Sequence, residues 1–228
     1  MENREALPDL AARLGHRFRR PELLDQALTH ASAAPRVGAN NERLEFLGDR
    51  VLGLAVAHLL YERFPDESEA DIARRHAALV RRDALAEVAR GLGLGHFLRM
   101  ARGEEDSGGR GNPTLLADAC EALLGALYLD GGFDRAAQVV GTYWQPLIDQ
   151  TPLPPRDAKT MLQEWAQGLG LALPEYVVLA SSGPPHDPVF DIEVRVAGHV
   201  PAKGRGRSRR AAEQDAAQAL LRRLGVWP

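Results

Sequence analysis

The most informative stretch of this sequence is NERLEFLGD, residues 41–49, which is followed by an apolar run starting at Val51. On a helix, Glu42, Glu45 and Asp49 occupy positions i, i+3 and i+7, within an arc of roughly 60° on one face. The intervening apolar residues are typical of core positions. Carboxylates that are close together and partly removed from water need a compensating cation. Two interpretations stay open from these residues alone: a divalent metal site, or a chance acidic cluster on a solvated face.

The composition is that of a globular protein with one concentrated basic patch. Apolar residues make up 45% and charged residues 26% of the 228 positions, and the formal net charge is −3. Residues 151–228 nevertheless carry ten Lys and Arg against eight Asp and Glu. Five of those ten lie between Lys203 and Arg210. A patch of this kind indicates contact with a polyanion at one place on the surface.

The sequence contains no apolar N-terminal segment of the signal-peptide type. Its longest apolar stretch, Val51 to Leu60, is too short to span a bilayer. We therefore expect a cytoplasmic protein without a membrane partner and without a small-molecule cofactor. The single cysteine, Cys120, excludes an internal disulfide, and its apolar neighbours predict a small core residue.

Hydrophobic periodicity predicts an all-α domain over residues 1–150. Pro21 opens one helix and Ser68 is a plausible N-cap of another. Further helices are predicted at 41–64, 83–91, 113–129 and 133–148. The glycine-rich segment 101–112 is predicted to be a mobile loop.

A Pro-rich linker, residues 151–157, separates this domain from a second one with different periodicity. Residues 158–226 are predicted to form a small α+β domain of order α-β-β-β-α. Its helices are expected at 158–169 and 208–224, and its strands at 176–180, 190–196 and 199–204.

A second acidic pair, Asp118 and Glu121, is again spaced i, i+3 inside an apolar helix, and Glu69 heads a third helix. Six carboxylates from three helices could therefore meet at one site, as in the metal centres of helical bundles. Oxygen ligands without nearby His or Cys favour Mg²⁺ or Mn²⁺ over zinc. Two such ions stabilise the attacking and leaving oxygens in phosphodiester hydrolysis.

These motifs resemble those of the ribonuclease III family, and the resemblance extends over nearly the whole chain. NERLEFLGD is similar to the family signature, residues 116–126 to its second acidic motif, and the segment that starts at Glu69 to an intermediate one. The resemblance implies an all-α nuclease domain that dimerises and cuts double-stranded RNA with Mg²⁺, for which Mn²⁺ can substitute. The implied products have 5′-phosphate and 3′-hydroxyl ends with short 3′ overhangs, as in processing of ribosomal precursors and messenger RNA.

The resemblance also implies roles for individual residues. Four acids would form the core metal site, with Asp49 and Glu121 catalytic: Glu45, Asp49, Asp118 and Glu121. Glu42 and Glu69 would support the metal or the substrate. Phe46 would insert into the partner subunit, whereas the residues alone favour an ordinary core aromatic.

The chain departs from the family pattern at a few positions. Ala70 stands where the family usually has Gly, and His76 where it usually has Arg. The loop before the second acidic motif reads GNPT, residues 111–114. Histidine titrates near neutrality, so His76 could make activity more dependent on pH, and Arg74 or Arg75 could replace the missing arginine.

The C-terminal region resembles a double-stranded RNA-binding domain over its whole length. The residues that match RNA-contacting positions lie on the first helix, in a loop and at the start of the last helix: Thr160, Gln163, His186, Ser208, Arg209 and Arg210. Basic side chains and free N–H groups at a helix N-terminus bind phosphates, and a rigid domain can read the wide minor groove of A-form RNA by its shape.

Two alternatives to a double-stranded RNA endonuclease remain. The first is an RNA-binding regulator with a silent nuclease scaffold, against which the intact acids argue. The second is a metal-dependent phosphohydrolase for small substrates, against which the second domain argues.

Overall fold

The computed structural model describes residues 7–34, 36, 38–151, 157–184 and 187–227. By its internal contacts the chain divides into two compact units, Met1–Pro155 and Arg156–Pro228. Most of the predicted linker and His186 lie outside the described residues. Within the described ranges, no helix is both long enough and apolar enough to cross a bilayer.

The first unit is helical, as predicted. Its α-helices in chain order are α1 (Leu7–Arg13), α2 (Pro21–Ala27), α3 (Glu42–Arg63), α4 (Glu69–Leu79), α5 (Arg82–Leu92), α6 (Leu94–Phe97), α7 (Arg102–Asp106), α8 (Pro113–Gly131) and α9 (Phe133–Asp149). Periodicity did not predict the short helices α1, α6 and α7. The Ser68 side chain accepts a hydrogen bond from the Asp71 N–H, at 3.2 Å, which confirms the predicted cap of α4.

The prediction of a mobile loop over residues 101–112 is wrong. This segment contains α7 and a 3₁₀ turn at Gly109–Gly111. The Arg110 guanidinium donates to the carbonyls of Gly95 (2.8 Å) and Leu98 (3.0 Å) and pairs with Glu105 at 2.6 Å. Side-chain anchoring of this kind is not visible in local periodicity. It fixes the chain just before α8.

Helices α3 and α8 form the centre of the first unit, and they touch backbone to backbone. A Cβ added to Gly48 would lie 1.7 Å from the Glu121 carbonyl oxygen, and one added to Gly125 would lie 2.3 Å from that of Leu44. Only glycine permits such an approach. Around this crossing the buried side chains of α1–α3, α5 and α8–α9, including Cys120 as predicted and Trp144, form one core.

The second unit has the predicted order of elements: α10 (Ala158–Gly168), β1 (Glu175–Ser182), β2 (Val189–Arg195), β3 (Ala202–Gly206) and α11 (Arg209–Arg223). The sheet is antiparallel in the order β1-β2-β3, with an irregularity in β1 between Val178 and Ala180. The third strand starts three residues later than the predicted 199–204. A core of residues from both helices and the sheet includes Leu162, Val194 and Leu220.

The glycine contact between α3 and α8 can be tested by adding one methyl group. We expect Gly125→Ala to destabilise the first unit by about 3 kcal/mol or more, because the new Cβ meets the rigid Leu44 carbonyl. Gly91→Ala is the matched control, since it is exposed on α5 with no atom within 4 Å of an added Cβ. We expect that change to stabilise by about 0.5–1 kcal/mol. Calorimetry of the full chain measures both, and equal effects would contradict the contact.

Candidate metal centre and nucleic-acid interface

The start of α3 is held in place by its main chain. The Asn41 N–H donates to the Thr29 carbonyl at 2.9 Å, and the Asn41 carbonyl accepts from the N–H groups of Leu44 and Glu45. Glu42 and Glu45 lie in the first turn, where carboxylates interact favourably with the helix dipole. These contacts fix the start of α3 and therefore the position of Glu45 relative to the centre of the unit.

The start of α8 is fixed in a different way. The Asn112 side chain accepts from the Thr114 N–H at 2.9 Å, and Pro113 takes the first helical position, where its missing N–H costs nothing. Asp118 and Glu121 follow in the second and third turns of this helix. Because α3 and α8 touch at Gly48 and Gly125, the acidic positions of the two helices face each other.

Three of the predicted acids converge at this crossing. One carboxylate oxygen each from Glu45, Asp118 and Glu121 lies within 4.8 Å of the other two, and all three residues are half-buried. We refer to these three residues as the acidic cluster. The remaining predicted acids are arranged differently. The Asp49 carboxylate pairs with Arg50, while Glu42 and Glu69 are exposed residues at the starts of α3 and α4.

Burial and mutual repulsion favour the protonated forms of the cluster. Burial is the main reason that the pKa of Glu121 is raised to about 8. Repulsion adds to this effect, from Asp49, Glu45 and Asp118 in decreasing order. Burial also raises the pKa of Glu45 and that of Asp118 above their ordinary values. A bound cation would offset both the cost of burial and the repulsion between the carboxylates. A site that resists ionisation without metal therefore suits a cation.

Two nitrogen-bearing side chains near the cluster were not predicted as site residues. The Arg82 guanidinium and the His30 imidazole both act to lower the pKa of Asp118, although burial outweighs them. Arg82 is the exposed first residue of α5, and His30 caps the 3₁₀ turn at Ala31–Ala33 by accepting from the Ser32 N–H. Arg82 follows a single basic residue, Arg81, and has no motif spacing. The packing of α5 against α8, rather than a local pattern, brings it to the cluster.

His76 and its neighbouring arginine have structural contacts. The His76 Nε2 atom lies 2.9 Å from the Gly53 carbonyl oxygen and so joins α4 to α3. Arg75 is only 3% exposed and makes a two-point ion pair with Glu67, at 2.8 and 2.7 Å. Its guanidinium also donates to the Thr151 carbonyl at 2.6 Å. Arg75 is therefore a buried structural residue rather than a replacement phosphate ligand.

Phe46 is 64% exposed in the single chain, which excludes the interpretation as a core aromatic. The Arg50 guanidinium lies 4.2 Å from the centre of its ring. Two further large apolar side chains are exposed on the same helix, Leu54 at 60% and Tyr61 at 74%. The three positions fall within an arc of roughly 80° and form an apolar stripe along α3.

In the second unit, the predicted RNA-contacting residues gather at the N-termini of α10 and α11. Ser208 caps α11 by accepting from the Ala211 N–H at 3.1 Å, while Arg209 and Arg210 follow as exposed residues. Thr160 and Gln163 are exposed on α10.

Side-chain bonds connect the two helix ends in the second unit. Asp157 accepts from Gln214 at 2.5 Å, and Lys159 pairs with Glu213 at 2.5 Å. Burial acts to raise the pKa of Glu213, but hydrogen bonds and ion pairs with Lys159 and Arg209 keep it low. The pKa of Asp157 is kept low against burial by hydrogen bonds from Gln214 and Thr160. The N-termini of α10 and α11 thus form one basic surface that presents backbone N–H groups.

The fold and the acidic cluster define a class of two-domain protein, in which a helical carboxylate centre is joined to an α-β-β-β-α module. Family models agree with this division. Residues 20–147 match the model described as "Ribonuclease-III-like", and residues 158–224 match the "Double-stranded RNA binding motif".

Individual relatives identify the family. The chain is 48% identical over 216 residues to "Ribonuclease 3" of Mesorhizobium japonicum, covering 94% of this chain and 98% of that protein. It is 46% identical to "Ribonuclease 3" of Brucella canis, over 96% of this chain and 89% of that protein. A crystal structure of the ribonuclease III nuclease domain from Campylobacter jejuni matches 60% of this chain and 92% of its own, with 40% identity and a TM-score of 0.57. This chain belongs to the ribonuclease III family.

The raised pKa of Glu121 predicts how stability depends on pH in the absence of metal. A folded-state pKa above the unfolded value means that the unfolded chain releases the proton first. Stability should therefore fall as the pH rises from about 4.5 to about 8. We expect Glu121→Gln to remove part of this loss, so that its melting temperature in EDTA exceeds that of the wild type at pH 8. Glu87→Gln, at an exposed position on α5, is the control. Identical pH profiles for all three proteins would refute the assignment.

Proposed function

We propose that this chain is an Mg²⁺-dependent endoribonuclease that hydrolyses phosphodiester bonds of double-stranded RNA in RNA processing and decay. The convergence of Glu45, Asp118 and Glu121 within 4.8 Å carries the proposal, together with membership of the ribonuclease III family. The proposed products have 5′-phosphate ends and short 3′ overhangs. The cytoplasmic location expected from the sequence stays a prediction.

The donor set of the acidic cluster fits a hard divalent ion. It offers carboxylate oxygens and, within the described residues, no histidine or cysteine belongs to the group. When bound, Mg²⁺ would make a coordinated water more acidic and neutralise charge on the phosphate. Mn²⁺, which takes the same ligands, should substitute.

The chain's own residues have separate roles in this proposal. Glu45, Asp118 and Glu121 would hold the ion, and Asp49 would add negative charge from the next turn of α3. Arg82 supplies positive charge beside Asp118, where it can orient the polyanionic substrate. Glu42 and Glu69 are proposed to support the metal or substrate from the exposed helix starts.

The second unit is proposed to hold the duplex. The surface at the N-termini of α10 and α11 presents Thr160, Gln163, Arg209 and Arg210 to solvent, with Ser208 as the cap. Free N–H groups and guanidinium groups there suit phosphates on both sides of a minor groove. His186 is proposed to contact RNA by the resemblance alone.

We also propose a homodimer formed through the apolar stripe of α3. Three large exposed apolar side chains along one helix face are typical of an interaction surface. A solved ribonuclease III nuclease domain from Campylobacter jejuni, 39% identical with a TM-score of 0.56, is described as having a region involved in dimer formation. With two subunits, each acidic cluster could cut one strand.

The function is tested by cleavage of a long, fully paired RNA with Mg²⁺, Ca²⁺ or EDTA, beside a single-stranded control. We expect only the duplex with Mg²⁺ to be cut. Glu121→Gln should lower the cleavage rate more than about 100-fold, beyond the usual cost of losing a group that only supports a ligand. Duplex binding should be unchanged within a factor of about two, because Glu121 is not among the residues proposed to bind RNA phosphates. Glu87→Gln should cut normally.

Each alternative function predicts a different result in the same assay. Binding under all three conditions without cutting would favour the RNA-binding regulator. Hydrolysis of a small phosphodiester without preference for duplex RNA would favour the small-substrate phosphohydrolase. Normal cleavage by Glu121→Gln would refute the proposed site.

The dimer is tested by placing a charge on the stripe. We expect Phe46→Asp to halve the mass measured by light scattering, because an aspartate cannot be buried in an apolar interface without a partner. Val200→Asp, at a 71% exposed position of the second unit, should leave the mass unchanged. A monomeric wild type, or a dimeric Phe46→Asp protein, would contradict the proposed interface.

A further inference from the structure

A cleft of about 310 Å³ opens between the end of α1 and the first turns of α9. It lies on elements that do not carry the acidic cluster. Two of its lining residues, Arg13 and Arg135, are basic, and no carboxylate is among the lining residues within the described chain. This composition contrasts with residues 1–150 as a whole, which carry 18 Lys and Arg against 23 Asp and Glu.

Arg135, which lines this cleft, has a side-chain donor without an acceptor. Its Nε–H is buried, and no acceptor among the described residues lies within hydrogen-bonding distance. The Nη1 atom of the same guanidinium donates to the Gln138 side-chain oxygen. A buried N–H without an acceptor is unfavourable. Because this N–H is shielded from solvent, an anion in the cleft would bind the Nη groups of the same guanidinium, which carry the shared positive charge.

The charges of the two arginines are not compensated by nearby acids. Within the described residues neither guanidinium is paired with a carboxylate. Arg13 instead donates to the Leu92 carbonyl at 2.8 Å and lies 5.9 Å from the centre of the Phe97 ring. The neighbouring buried acid, Asp130, is occupied, since it accepts from His16 at 2.8 Å and from two backbone N–H groups.

The walls of the cleft are fixed by further contacts. Gly15, with a φ of +58°, brings the main chain close to Arg135, and an added Cβ there would lie 3.2 Å from the Nη2 atom. The Tyr143 hydroxyl donates to the Arg13 carbonyl at 2.9 Å, and the Thr142 hydroxyl donates to the Gln138 carbonyl at 3.0 Å. These contacts fix the main chain around the cleft, while bonds to the Leu92 carbonyl and to the Gln138 side chain hold the guanidinium groups of Arg13 and Arg135.

We propose that this cleft binds a phosphate group. Its volume accommodates one phosphate with room for an attached ribose, and guanidinium groups match the geometry of phosphate oxygens. The phosphate comes either from a small free anion or from the end of an RNA chain. The site shares no residue with the acidic cluster, so phosphate binding can be tested independently of the nuclease activity.

The buried Nε–H of Arg135 allows a site-specific measurement. In ¹H–¹⁵N spectra of the full chain, its resonance is identified by its disappearance in Arg135→Lys. We titrate inorganic phosphate against chloride at constant ionic strength, with EDTA present to prevent binding through a metal. We expect the resonance to shift and saturate with phosphate only, with a dissociation constant of about 1 mM.

Two variants and one control identify the residues that form the site. Arg13→Gln should weaken phosphate binding at least about fivefold, since one of two guanidinium groups is lost. Because Arg13 also contacts Leu92, the remainder of the spectrum shows whether that variant is folded. Gln138→Glu, which places a carboxylate beside Arg135, should abolish the shift without disturbing the core. Arg90→Gln, at an exposed position of α5, should bind phosphate as the wild type does.

The source of the phosphate is decided with short duplexes that carry either a 5′-phosphate or a 5′-hydroxyl. A shift produced by the phosphorylated duplex at lower concentration than inorganic phosphate identifies an RNA end as the ligand. A shift produced by inorganic phosphate and uridine monophosphate, but by neither duplex, identifies a small anion. The proposal is overturned if chloride shifts the resonance equally, if no phosphate shifts it, or if Gln138→Glu retains the wild-type response.

Discussion

The backbone contact between α3 and α8 at Gly48 and Gly125 is the constraint on which the first unit depends. It removes two side chains from the centre of the domain and lets the two helices approach more closely than any other residue would permit. The Glu121 carbonyl itself touches Gly48, so the acid that closes the cluster is part of the contact. The spacing of the carboxylates is therefore a consequence of helix packing.

This arrangement makes the acidic cluster electrostatically unfavourable in the protein alone. Burial and repulsion raise the pKa of Glu121 to about 8 and also raise those of Glu45 and Asp118. The surrounding helices hold the carboxylates together because their apolar contacts outweigh this repulsion. Sites whose charged groups are held in an unfavourable arrangement are commonly functional. A bound divalent cation would convert the same repulsion into affinity.

The arginine side chains of the two units occupy several different environments. Arg75 is buried in an ion pair and Arg110 anchors the segment before α8, so both residues have structural roles. Arg82 and His30 act on the cluster, whereas Arg209 and Arg210 are exposed on the second unit. Arg13 and Arg135 line a cleft that has no acid among its described lining residues. Net charge alone would describe none of these separate roles.

Local sequence patterns were sufficient for much of the fold. Apolar periodicity predicted the long helices and the α-β-β-β-α order, because these patterns act over one or two turns. The same patterns failed for the segment 101–112, where Arg110 reaches back to α6, and for the short helix α1. They also placed the third strand early, since its position is set by pairing with β2.

For the site, the sequence by itself determined which acids were available and on which helices they lie. The i, i+3 spacing of Asp118 and Glu121 and the NERLEFLGD stretch follow from the chain alone. Only the tertiary structure decided that Glu45, Asp118 and Glu121 come together while Glu69 stays exposed, and that Phe46 faces outward. The reason is physical: residues distant in sequence meet only where two helices pack, and that packing depends on two glycines whose contact no local pattern encodes.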